Sequence, residues 1–213
     1  MEMNYKELKL KFKDSVIIDS QSINLTSNPP YFRRQISEWK KKNWIIELRK
    51  GIYVINDVYF TEKISPLYAA NVIYKPSYIS LEYALYEYDL IPETAHIVTS
   101  VTTKKTAYFE NNFGRFSFTK IKNNLFFGFK TTRVNNQIIL YATKEKALLD
   151  FLYINLSSFN ETFDDFYSYR FQNLKSLSWT KLDNFLKKFN VKKLKRVVKL
   201  LKEFAQEESY KEL

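Results

Sequence analysis

The side chains that carry most enzymatic chemistry are scarce in this chain. It has no cysteine, which removes thiol catalysis, disulfides and cysteine-bound zinc. His96 is the single histidine. With no second His or Cys to join it in a metal site, it reads as a structural or surface residue at a strand start. Glycine occurs only at 51, 114 and 128, so neither a phosphate-cradling P-loop nor a dinucleotide fingerprint is present. Asp164 and Asp165 are adjacent carboxylates, but neighbours on a helix diverge, and the pair reads as a solvated helix start. No Ser or Thr lies in a nucleophile motif. The reading is of a protein that is not an enzyme and uses no metal or cofactor.

The chemistry the chain is equipped for is the recognition of phosphates and bases. Tyr31, Arg33, Arg34, Ser37, Lys40 and Lys41 fall within one short segment. Arg can bond guanine edges bidentately, and Tyr and Ser can reach other base edges. Lys40 and Lys41 suit phosphates, as flexible point charges. Arg49 and Lys50 follow at a predicted hairpin tip. The net charge of +11 is concentrated. Residues 28–50 hold seven basic and two acidic residues, and residues 187–202 hold eight basic and none acidic. The remainder is almost neutral, which an evenly spread codon bias does not explain. Two basic segments on a neutral body are the footprint of a polyanion-binding surface.

Positioning these side chains requires particular elements. Helices are expected over 4–12 and near 19–25. Asn28 and Pro29 then cap and open a helix to about residue 42. At ~100° per residue, Phe32, Ile36 and Trp39 form one apolar stripe. The cationic residues take the other side. Residues 45–48 and 52–55 read as strands joined at Gly51, which supplies the positive φ of a tight turn. Helix, helix, helix and basic hairpin within about 55 residues is the order of a winged helix-turn-helix, assigned to residues 1–58. A larger domain is expected over 61–213. Ser65-Pro66 opens a helix, and another covers 81–88. Strands are read at 96–102, 106–110, 115–121, 125–133 and 137–141, with turns at Asn123-Asn124 and Asn135-Asn136. Helices follow at 144–154, 163–169, 181–189 and 191–205, the third with a Thr180/Asp183 capping box. The fold class is α+β, with a mostly antiparallel sheet. No stretch reaches the roughly 20 apolar residues of a membrane helix. The first ten residues hold Glu2, Lys6, Glu7 and Lys9, unlike a signal peptide. The cytoplasm is the expected location.

Six runs, in order, resemble the AbiEi-type antitoxins of type IV toxin–antitoxin (abortive infection) systems. They are Leu48-Arg49-Lys50-Gly51-Ile52-Tyr53, the stretch from Ser77 to Leu85, His96 to Thr102, Phe113 to Phe118, Leu125 to Gly128, and Ala142 to Asp150. The last, with Glu145-Lys146-Ala147-Leu148-Leu149-Asp150, is the most distinctive. Asp89 stands where the family often has Gly, and Thr143 where Pro is frequent. The resemblance implies an N-terminal winged helix that represses its operon by binding inverted repeats in duplex DNA. It also implies a C-terminal domain that counters a nucleotidyltransferase-like toxin, in many members without a stable complex.

Glu145, Lys146 and Asp150 admit two readings: a packed helix with a Lys146–Asp150 pair at i, i+4, or a toxin-neutralising surface. In the basic C-terminal helix, Lys192, Lys195, Arg196 and Lys199 read as a solvated face, an auxiliary DNA contact, or a face toward the toxin or its RNA substrate. The alternative to an antitoxin and autorepressor is a winged-helix regulator with no toxin partner. A third reading has RNA bases stacked on an aromatic-rich sheet.

Overall fold

Two β-sheets organise the chain, and each gathers helices onto its faces. The computed structural model describes residues 4–13, 17–20, 29–61, 64–135 and 137–211, with the backbone alone for 29–31, 59, 61 and 208–211. The fold is α+β with C-terminal helices, as the residue periodicities imply.

The small sheet has the order β1-β3-β2, from β1 (Ile18–Asp19), β2 (Ile45–Arg49) and β3 (Ile52–Ile55), all antiparallel. Before it comes α1 (Tyr5–Lys11), closed by a capping box between Asn4 and Glu7. α2 (Pro29–Lys41) leads into the β2–β3 hairpin and α3 (Val58–Thr61) follows it. The helix expected near 19–25 does not begin at Asp19. Asp19 is in β1, paired with Ile52, and residues 21–28, including the expected Asn28 cap, lie outside the described residues.

The large sheet has six strands in the order β6-β7-β5-β4-β9-β8. They are β4 (Ser77–Ile79), β5 (Ile97–Thr102), β6 (Ala107–Asn111), β7 (Gly114–Lys120), β8 (Phe129–Val134) and β9 (Gln137–Ala142). The sheet is mixed, which corrects the expectation of a mostly antiparallel one. β4/β5, β6/β7 and β8/β9 run antiparallel, whereas β5/β7 and β4/β9 run parallel. Alternation marks a strand but not its partner. Here the β6–β7 hairpin folds back so that its second strand lies against β5. Central β4, three residues long, has too short an alternation to register as a strand. Asn123-Asn124 is not a hairpin turn but the start of a 3-10 turn, Asn123–Leu125. Asn135 does turn β8 into β9, with φ +48°.

Each sheet face has its helices. α4 (Pro66–Ile73) starts at the Ser65 cap, whose hydroxyl accepts from the Tyr68 N–H. It lies on the face where Phe109, Phe116 and Phe118 are packed, and Tyr74 just beyond it meets Phe109 and Phe118 at 5.5 and 5.2 Å between ring centroids. α5 (Leu81–Glu87) and α6 (Lys144–Ile154) pack together on the opposite face. α7 (Phe163–Ser168), α8 (Trp179–Phe189) and α9 (Lys192–Lys211) complete the layer. The cap of α8 is Ser178, accepting from the Lys181 N–H, rather than Thr180. Buried apolar residues of both sheets form one continuous cluster.

Candidate nucleic-acid interface

α2 is held by its apolar stripe. Phe32, Ile36 and Trp39 are buried, and the Trp39 ring meets Phe32 edge-on at 5.9 Å. Burying each such side chain contributes about 1.5–3 kcal/mol, which fixes the rotation of the helix. The outer face is thereby fixed too. Arg33, Arg34, Ser37, Lys40 and Lys41 are all exposed. Arg33 and Arg34 have no acidic partner among the described residues. Tyr31 lies in the first turn of α2, and its side chain is outside the description.

Two members of the expected site are engaged elsewhere. Lys40, read as a phosphate contact, donates from Nζ to the Glu47 carboxylate on β2. That bond raises the Lys40 pKa and ties the helix to the hairpin. Lys41 is only loosely associated with Glu38, at 3.9 Å, and stays available. Arg49, read as the tip of a projecting wing, is half-buried instead. Its guanidinium carbon lies 5.7 Å from the Tyr74 ring and 5.9 Å from the Phe109 ring, a cation–π arrangement. Asn111 Nδ2 also donates to the Leu48 carbonyl at 2.9 Å. The hairpin is therefore docked on the large sheet, and Lys50 is the exposed residue of its tip. Gly51 turns the chain with φ +90°, and a Cβ there would sit 3.0 Å from Ser20 Oγ.

No protein-family model matches this chain, and no curated protein is significantly similar to it. The geometry of each candidate residue therefore carries the argument.

Glu145, Lys146 and Asp150 do not form a surface. Lys146 and Asp150 are an ion pair with no exposed area. Asp150 Oδ2 accepts from Tyr78 OH at 2.8 Å and Ser80 Oγ at 2.9 Å, and Lys146 Nζ donates to Tyr78 OH at 2.8 Å. Rings of Tyr78, Phe127 and Phe189 lie 5.0–5.3 Å from the ammonium. Burial pushes Lys146 down and Asp150 up, and each opposes the shift of the other by attraction. Burial and the adjacent carboxylate push the Tyr78 phenol up, so it stays a donor. Glu145 is held by Lys181 Nζ at 2.8 Å. The structural reading of this segment is the one its burial favours. Tyr78 and Ser80 were missed as its partners because they lie about 70 residues away in sequence.

α9 docks as its spacing predicts, with Leu194, Val198 and Leu201 buried. Its cations divide. Arg196 makes two hydrogen bonds to the Glu161 carboxylate, at 2.5 and 2.7 Å, and Lys199 is 3.9 Å from Glu203. Lys192 and Lys195 are exposed without an acidic partner among the described residues. His96 is exposed at the start of β5. The stacking platform loses support, because Phe116 and Phe118 are fully buried and Tyr108 is the large aromatic exposed on the open part of the sheet.

Proposed function

We propose that this protein is a sequence-specific, duplex-DNA-binding regulator whose residues 1–58 act as a winged helix-turn-helix. The observation that carries the reading is the two-sidedness of α2. Phe32, Ile36 and Trp39 are buried, while Arg33, Arg34 and Ser37 stand exposed immediately ahead of a basic hairpin. A helix anchored on one side and cationic on the other fits a major groove. The order of the small sheet, with a strand ahead of α2 pairing onto the hairpin after it, supports the winged form. Lys41 and Lys50 supply phosphate contacts.

Residues 61–213 form the antitoxin part of the proposal, and the protein acts as an autorepressor of a type IV toxin–antitoxin operon. That part rests on the residues that resemble AbiEi-type antitoxins. Its partners would be operator DNA with inverted repeats and a nucleotidyltransferase-like toxin. The second reading, a regulator with no toxin partner, is favoured by one observation. The most family-like segment, around Lys146 and Asp150, is buried and offers no surface. Co-expression with the neighbouring gene separates the two: rescue of growth supports the antitoxin, and failure to rescue leaves the regulator. DNA binding is tested by gel shift on the duplex upstream of the protein's own gene, with Arg33→Ala/Arg34→Ala as the variant.

A further inference from the structure

We infer that the cavity on the large sheet beside α5 binds a small zwitterion, a free α-amino acid with an apolar side chain. The inference goes beyond the proposed function and depends on neither its DNA-binding nor its antitoxin part.

The cavity encloses about 620 Å³, within the range of small-molecule sites. β5 and β7 form its floor, and the start of α5 and the end of α6 form its walls. Strand alternation explains the floor. Phe116 and Phe118 are fully buried on the α4 side, so Arg115, Ser117 and Thr119 face the other way, into the cavity. The register of β5 on β7 sets Ile97 beside Arg115 and Thr99 beside Ser117.

The wall is preset. Thr99 Oγ1 donates to the Ser80 carbonyl at 2.7 Å and accepts from the Tyr83 N–H at 3.0 Å. These two bonds bracket Leu81 and Glu82 and pin the start of α5 to β5. Leu81 is buried there with φ +61°. A left-handed leucine is strained and persists only where its surroundings over-determine it. Glu82, the next residue, is thereby held at the cavity.

Two opposite charges line this space unpaired. The Arg115 and Glu82 side chains make no hydrogen bond or ion pair, with one another or with any other residue, among the described residues. One guanidinium and one carboxylate match a ligand with one anion and one cation and no net charge. The planar fork of Arg115 suits a carboxylate, which it can bond bidentately. Glu82 accepts from an ammonium. Ile97 and Ile154, both half-buried, offer the side chain an apolar surface. A phosphate ester would set excess negative charge against Glu82.

The test is calorimetric titration of the full chain with leucine, isoleucine, valine, methionine and phenylalanine. Glycine and adenosine monophosphate are the comparison ligands. At least one of the five should bind saturably, and glycine about tenfold more weakly or worse, since it has no side chain to rest on the isoleucines. The N-acetyl and amide derivatives of the best binder should each lose about tenfold or more, because each removes one charge. Glu82→Gln should weaken the free amino acid but not its N-acetyl form. Arg115→Ala should weaken the free amino acid but not its amide. The wild-type comparison of free and blocked forms stands even if a variant misfolds, which circular dichroism reports. No binding tighter than about 1 mM by any of the five overturns the inference. Binding that survives both substitutions in folded protein overturns the site. Adenosine monophosphate binding in place of the amino acids, lost in Arg115→Ala and strengthened in Glu82→Gln, overturns the ligand class.

Discussion

The Lys146 ammonium and the Asp150 carboxylate, one turn apart on α6, form an ion pair shut off from solvent, with both side chains 0% exposed. The pair is satisfied by Tyr78 on β4 and Ser80 just after it. It thereby locks α6 onto the centre of the large sheet. Desolvating two charges is costly, and the added hydrogen bonds are what make the burial tolerable.

Removing one partner should therefore be severe. Lys146→Met leaves Asp150 with only the two hydroxyls, and a loss of about 3–5 kcal/mol is expected. Lys146→Met with Asp150→Leu should recover much of it, because an apolar pair leaves no buried charge. Urea denaturation of the three proteins measures both effects. A single-variant loss below about 1 kcal/mol would show that the pair is not the lock described.

Gly128 guards the same site. Its φ is +76°, and a Cβ would lie 2.9 Å from Lys146 Cγ. Lys146 cannot yield, since its ammonium is fixed at the far end. Gly128→Ala should cost more than about 1 kcal/mol. Thermal unfolding measures this, and a melting temperature equal to wild type would contradict the packing.

Glu145 predicts an acid dependence. Burial works against its charge, but the Lys181 ammonium and the Ser178 N–H outweigh it and hold the carboxyl below its ordinary value of 4.5. A carboxylate with a depressed folded pKa adds stability above its unfolded pKa and loses it as pH falls through the folded value. The stability gap between wild type and Glu145→Gln should thus be constant above about pH 5 and close as pH falls below about 4.5. Denaturation curves across that range decide it, and a gap that widens on acidification reverses the assignment.

Lys40 and Glu47 make a prediction about binding. Their bond occupies a cation on the outer, basic side of α2. Glu47→Gln should free it and steepen the salt dependence of DNA binding by up to about 1. The exposed pair itself is worth only about 0–1 kcal/mol, so folding should be preserved. Titration at several salt concentrations measures the slope, and a shallower one would count against a phosphate role for Lys40.

Local features were legible from the residues. The apolar stripe of Phe32, Ile36 and Trp39, the Ser65-Pro66 start, the turns at Gly51 and Asn135 and the whole of α6 follow from short-range rules. Asp89 shows how a residue other than glycine can hold a left-handed turn. It takes φ +57° without being glycine, and its carboxylate accepts from Gln172 Nε2 at 2.8 Å and Asn173 Nδ2 at 2.6 Å. What could not be read was pairing across distance. The parallel contact of β5 with β7, the partners of Asp150, and the docking of Arg49 on Tyr74 depend on residues 18 to 72 positions apart, where periodicity carries no information. Candidate binding residues were legible by charge alone, so Lys40 was placed on the surface without its partner Glu47, and Arg49 was read as an exposed tip although it is half-buried against Tyr74 and Phe109.

The central claim is that the outer face of α2 reads duplex DNA. The most direct measurement is the affinity of the full chain for the duplex upstream of its own gene, compared with an unrelated duplex, for wild type and Arg33→Ala/Arg34→Ala. Wild type should prefer its own duplex by at least about 10³. The variant should lose about 1–3 kcal/mol of that discrimination per arginine that bonds a base. Equal affinity of wild type for both duplexes, or an unchanged preference in the variant, would contradict the account.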